Sequence, residues 1–172
     1  MTPSQIVESK LLPFARKLPN SKIVTVNYWV LEHESAGNDI VDSEFYFGGE
    51  VELQFENSDQ LFVSWDRVAG WREQIVYSLY LGSESAFSQG ALCQFTATYC
   101  PTWLPHIGLP IEAVSLLGTD GVPFVRSLKT RPGTVHVGSS DRTRFGDGDD
   151  VLVTTAHNSV SKMATIWRAS ID

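Results

Sequence analysis

The sequence predicts one mainly β (α+β) domain, an antiparallel bent sheet or two-layer sandwich with an N-terminal helix packed on it. Three observations carry this. Across residues 50–56, Val51, Leu53 and Phe55 alternate with Glu50, Glu52, Gln54 and Glu56, the period of two of a strand with one apolar face. Asn57, Ser58, Asp59 and Gln60 then make a polar turn, and Leu61, Val63 and Trp65 resume the apolar face, so 45–65 reads as a β-hairpin. Helix-like spacing opens the chain, where Ile6, Val7, Leu11, Leu12, Phe14, Ala15 and Leu18 recur after the capping candidate Ser4.

In chain order, Pro13 must kink or end that first helix near Leu12. Residues 22–32 form a strand with Val24, Val26, Tyr28 and Val30 on one face and Ile23, Trp29 and Leu31 on the other. Two apolar faces make it a central, covered strand. Residues 34–43 read as a surface loop, 68–73 as irregular, 74–81 as a strand, 82–90 as a loop and 91–99 as a strand. The Pro-rich connection 100–111 offers Trp103, Leu104 and Ile107 as a plug for one end of the core. A second hairpin spans 111–129 around Gly118-Thr119-Asp120-Gly121, and Arg131-Pro132-Gly133 turns the chain into strands at 134–138 and 151–156. In the tail, Val160, Met163, Ile166 and Trp167 stand at helical spacing. The count is about nine strands. With 172 residues the chain is expected to be a single domain: a helical segment at 1–20, a β core at 21–158 and a tail at 159–172.

The formal net charge of −7, from 20 acidic and 13 basic residues, argues against nucleic acid as the main partner. Arg126, Lys129 and Arg131 form one small basic cluster within that acidic total. Acidity by itself serves solubility; as a functional feature it suits a basic protein partner. Two cysteines, Cys93 and Cys100, make no disulfide framework, and reduced thiols are expected. No stretch approaches the roughly 20 apolar residues of a membrane helix. The opening MTPSQIVESKLLPFARK lacks the basic start and apolar run of a secretory signal, so no membrane association and a cytoplasmic location are expected.

Candidate chemistry is sparse. Asp141, Asp147, Asp149 and Asp150 cluster in a polar loop, but Val151 and Leu152 stand where a calcium loop needs further ligands, and Gly-Asp runs are commonly plain turns. His33, His106, His136 and His157 fall in no metal-binding spacing. No Gly-x-Ser-x-Gly elbow is present, and Ser159-x-x-Lys162 is a match short enough to arise by chance. Gly48-Gly49 precedes Glu50, which repels phosphate; the pair suits a bulge where backbones approach closely. No cofactor and no metal are expected. The carboxylates Glu50, Glu52 and Glu56, with Asp42 and Glu44 upstream, read either as a solvated strand face or as a partner-binding surface. Glu50, Glu52, Glu56, Asp147, Asp149 and Asp150 are therefore the partner-binding candidates.

The order GGEVELQFENSDQLFVSW, then TWLPHIGLPIEAVSLLG, then a hairpin and a late strand with an acidic start resembles small bacterial immunity proteins encoded beside polymorphic or contact-delivered toxins. The matching stretches cover roughly residues 45–153. The resemblance implies an inhibitor that binds and blocks a toxin, and carries no residue-level role. The alternative is a small β-rich enzyme or ligand-binding domain with a cleft near Trp103, His106 and His136.

Overall fold

A computed structural model describes residues 2–31, 44–67, 77–82, 92–141, 144–146, 148 and 150–171. Two antiparallel sheets face each other. The strands are β1 (Ile23–Leu31), β2 (Glu44–Phe47), β3 (Gly49–Phe55), β4 (Gln60–Arg67), β5 (Tyr77–Gly82), β6 (Leu92–Thr96), β7 (Ala113–Thr119), β8 (Val122–Thr130), β9 (Gly133–Asp141), β10 (Arg144–Phe145), β11 (Asp150–Thr154) and β12 (Ala164–Ser170). One sheet runs β5-β4-β3-β1-β6; the other runs β12-β7-β8-β9-β11-β2, with β10 paired to β9. The expected sandwich with its N-terminal helical segment is what the chain forms.

The predicted hairpin hides a change of sheet. Phe45 and Phe47 lie in β2, against β11 of one sheet, while β3 pairs with β1 and β4 of the other. The crossing occurs at Gly48-Gly49. Gly49 has φ 149°, and a Cβ placed there would lie 1.8 Å from the Trp29 carbonyl oxygen, so only glycine fits. The same crossing sets the core: Tyr28 of β1 stacks on Phe45 and Phe47 of β2 at 5.5 and 5.0 Å. The buried Trp103 donates from Nε1 to the Tyr28 hydroxyl at 2.7 Å. Around this stack Val26, Val30, Val51, Leu53 and Val63 meet Leu116, Leu128, Val137, Val151 and Val153 in one continuous core.

The helical segment adds Val7, Leu11, Leu12, Ala15 and Leu18 to that core. It consists of α1 (Pro3–Ile6), a π turn (Val7–Leu11) and α2 (Leu12–Ala15). The irregularity has a cause in Pro13, which lacks an N–H and clashes with the preceding turn of a regular α-helix. The wide turn, closed by the Leu12 N–H on the Val7 carbonyl, puts Pro13 near the start of the next one.

Two expectations about period fail at register shifts. In β1 the shift between Ile23 and Thr25 buries Ile23 and Val26 and leaves Val24 exposed, so Val24 does not share the core face with Val26. In the tail, residues 164–170 are strand β12 rather than helix. A shift between Thr165 and Trp167 breaks its alternation, so Ile166 and Trp167 are both half-buried and the spacing mimics a helix.

Candidate functional site

β3 is the middle strand of its sheet, and its second face is not in water. Glu50 and Glu52 are 1 % and 4 % exposed. Glu52 lies opposite Asn27 on β1 and Phe62 on β4, and Glu50 opposite Trp29. The Glu52 carboxylate is caged by neutral donors: Oε2 accepts from Asn27 Nδ2 at 3.1 Å and Trp29 Nε1 at 2.8 Å. Oε1 accepts from Gln54 Nε2 at 2.7 Å and Gln60 Nε2 at 3.3 Å. This corrects the expectation of a carboxylate ladder along a solvated face. Of the three ladder residues only Glu56 is exposed, where it pairs with Lys22 at 3.2 Å. Alternation locates the two faces of a strand but does not reveal whether the second is covered. The sequence signal for covering was the set of amide and indole donors around Glu52.

The expected cleft near Trp103, His106 and His136 does not form from these residues. All three are buried, and the two histidines bond side chains on opposite faces of β8. His106 Nδ1 meets Thr130 Oγ1 at 2.6 Å, and His136 Nδ1 meets Ser127 Oγ at 2.7 Å from the neighbouring strand. Burial lowers the pKa of His106; burial and then the nearby His157 push that of His136 down to about 4, so both rings are neutral at pH 7. Of the intended plug, Trp103 is fully buried and Ile107 half-buried, but Leu104 is exposed, as is Tyr99.

The basic cluster also separates. Lys129 and Arg131 are exposed, whereas Arg126 is 0 % exposed, between Leu116 on β7 and Val137 on β9. None of its three guanidinium nitrogens has a hydrogen-bond partner among the described residues. A lone cation held out of water costs several kcal/mol. Burial alone draws the Arg126 pKa down to about 9, which still leaves it charged at pH 7.

The acidic loop enters only in part. Asp150 is half-buried at the start of β11, opposite Ser140, while Asp147 and Asp149 lie outside the described residues. Among the described residues no three His, Cys, Asp or Glu side chains come together as a metal site, and no helix is long and apolar enough to cross a membrane. Cys93 and Cys100 are free thiols.

Several hollows among the described residues gather apolar and charged groups; one of about 350 Å³ is lined by Val7, Glu8, Leu12, Ile166 and Trp167. Beside the turn joining β3 and β4, a hollow of about 250 Å³ is lined by Phe14, Leu18, Phe55 and Leu61, with Lys17 and Asp59 also on its wall. A neighbour of it, of about 260 Å³, is lined by Pro19, Lys22, Glu56 and Asn57 and shares Ser21 and Phe55 with it. The two adjoin at Ser21 and the buried Phe55, which they flank as the two halves of a groove. Its walls are held by backbone bonds: Glu56 N–H to the Lys22 carbonyl, Phe55 N–H to the Asp59 carbonyl, and Ser21 N–H to the Leu18 carbonyl. This groove joins segments more than 30 residues apart, which is why the strand pattern did not show it.

Comparison with protein-family models, curated proteins and solved structures finds no match to this chain.

Proposed function

We propose that the chain is a non-enzymatic binding protein, an inhibitor that neutralises a protein toxin by covering it, and that the partner docks in the groove over Phe55. The observation that carries this reading is the groove itself, a concave surface on a hydrogen-bonded frame where the half-buried Phe14 and the edges of the buried Leu18, Phe55 and Leu61 lie among polar and charged side chains, which suits a partner bringing polar as well as apolar groups. Two further features support it. The net charge of −7 favours a basic partner, and the groove edge carries exposed Glu56 and Asp59 beside Lys17 and Lys22, the last paired with Glu56. Among the described residues, His106, His136 and Glu52 are engaged in internal hydrogen bonds.

The test is co-expression with the product of the adjacent reading frame, followed by binding kinetics. The wild type rescues growth and binds. Reversing Glu56 and Asp59 to Lys slows association at least fivefold at low salt and less at high salt, because steering by opposite charge is screened. A harmless neighbour, or turnover of a substrate by the purified chain, defeats the inhibitor reading. Unchanged association by the double reversal moves the docking site elsewhere.

A further inference from the structure

β12 is an edge strand of its sheet, hydrogen-bonded only to β7 among the described strands. The connection leading into it, residues 155–163, is described throughout, whereas the edge strands β2, β5 and β6 each border residues outside the described set. One bond fixes which backbone groups of β12 point outward. The Ile171 N–H donates to the Glu112 carbonyl at 2.9 Å, and the pairing runs without a shift from Trp167 opposite Leu116 to Ser170 opposite Ala113. Backbone groups alternate sides along a strand, so Trp167, Ala169 and Ile171 turn theirs to β7 while Arg168 and Ser170 turn N–H and C=O away from the sheet. Side chains alternate between faces as well. Trp167 packs on the core with Ala169 and Ile171 on the same side, and Arg168 and Ser170 are exposed on the other. Ile171 is 40 % exposed, although it stands on the face of Trp167, which lines the hollow of about 350 Å³ with Val7 and Leu12.

We propose that β12 pairs antiparallel with β12 of a second copy of the chain, about a two-fold axis at Ala169, so that one sheet runs on through both chains. A hydrogen-bonded antiparallel pair needs outward-facing backbone on both residues. Arg168 opposite Ser170 of the second copy supplies this, and the axis repeats it, for four backbone bonds. The same register sets Ile171 opposite Trp167 of the second copy as a non-hydrogen-bonded pair, in which side chains stand closest. Two exposed isoleucines are thereby covered, each beside the hollow that Trp167 lines. Arg168 meets a serine hydroxyl, whereas a register centred on Arg168 would set two guanidinium groups opposite each other. A second copy is the occupant because this short stretch carries every complement it needs, as a two-fold contact requires. The shift between Thr165 and Trp167 ends the regular edge on one side, which limits the contact to a few residues and places it in the weak, reversible class. The pairing uses no residue of the groove over Phe55 and rests on no part of the inhibitor reading.

Sedimentation of the full chain between about 5 and 500 μM reads the association by mass action. The wild type passes reversibly from monomer to dimer across that range. Ser170→Pro deletes an outward N–H and leaves the bonds to β7 in place, so it weakens association at least tenfold while Tm stays within about 3 °C of wild type. Ile171→Asp also weakens association at least tenfold. Ala169→Cys, at the axis, forms a disulfide-linked dimer with oxidised glutathione beyond the wild-type level, and Ser161→Cys, exposed outside β12, does not. The wild type decides the matter should the variants fail to fold: amide exchange at Arg168 and Ser170 slows at least fivefold from the lowest to the highest concentration. A monomer throughout, a dimer indifferent to Ser170→Pro, no added linkage through Ala169→Cys, or unchanged exchange at those two amides each overturns the proposal. Protection of β12 that appears only with the protein encoded beside this one assigns the edge to that partner and overturns it equally.

Discussion

Replacing Glu52 with Ala removes the acceptor for four side-chain donors at once, and the structure indicates how much each matters. Gln60 is exposed and Gln54 half-buried, so both amides can turn to water. Asn27 is 3 % exposed and Trp29 half-buried, and their N–H groups are left facing a hole. A stranded donor that had bonded a charged group costs about 1.5–3 kcal/mol. Two such donors give a loss of about 3–6 kcal/mol, a large share of the total stability of a domain. Glu56→Ala is the control: its ion pair with Lys22 has side chains 63 % and 41 % exposed, a class worth under about 1 kcal/mol. Urea unfolding at pH 7 reads both. With a slope of about 2 kcal/mol per molar, the Glu52 variant shifts its midpoint by about 2 M and the Glu56 variant by less than about 0.5 M. Equal losses from the two would show that Glu52 is solvated and that the donor cage is not formed in solution.

Three further outcomes follow from the same interior. His136 has a pKa near 4 when folded against an ordinary value of 6.5, so between those limits the unfolded chain binds more protons and stability rises with pH. His136→Gln flattens the stability–pH curve by about 1–2 kcal/mol across that window relative to wild type, read from unfolding midpoints at pH 4.5 and 7; an unchanged slope contradicts the assignment. Gly49→Ala meets the Trp29 carbonyl at the sheet crossing and lowers Tm by at least about 8 °C, and a variant as stable as wild type would place the crossing elsewhere. Thiol titration of the unfolded, unreduced protein counts two free thiols, Cys93 and Cys100, and a count of zero contradicts their free state.

The architecture was readable where apolar residues kept a strict period. β3, β4, the hairpin of β7 and β8, and the N-terminal helical segment all announced themselves through spacing and turn residues. What misled was local irregularity. The shift in β12 set Ile166 beside Trp167 and imitated a helix, and the shift in β1 turned Val24 outward. Gly48-Gly49 was recognised as a place of close approach, yet period two ran through it, so the change of sheet between Phe47 and Val51 was invisible. The candidate site was less legible still. Whether Glu52 and Arg126 meet water depends on which strands flank them and what lies over the sheet, and neither fact is local in sequence. Charge predicts exposure at Glu50, Glu52 and Arg126, yet all three are buried. The groove over Phe55 likewise exists only once residues 14–22 and 55–61 are brought side by side.

Backbone hydrogen exchange of the chain, free and bound to the protein encoded beside it, tests the docking claim most directly. Binding slows exchange in residues 14–22 and 55–61 together, with little change in the shielded centre of β8 and β9. Slowed exchange confined to other segments, or no complex at all at micromolar concentration, would contradict it.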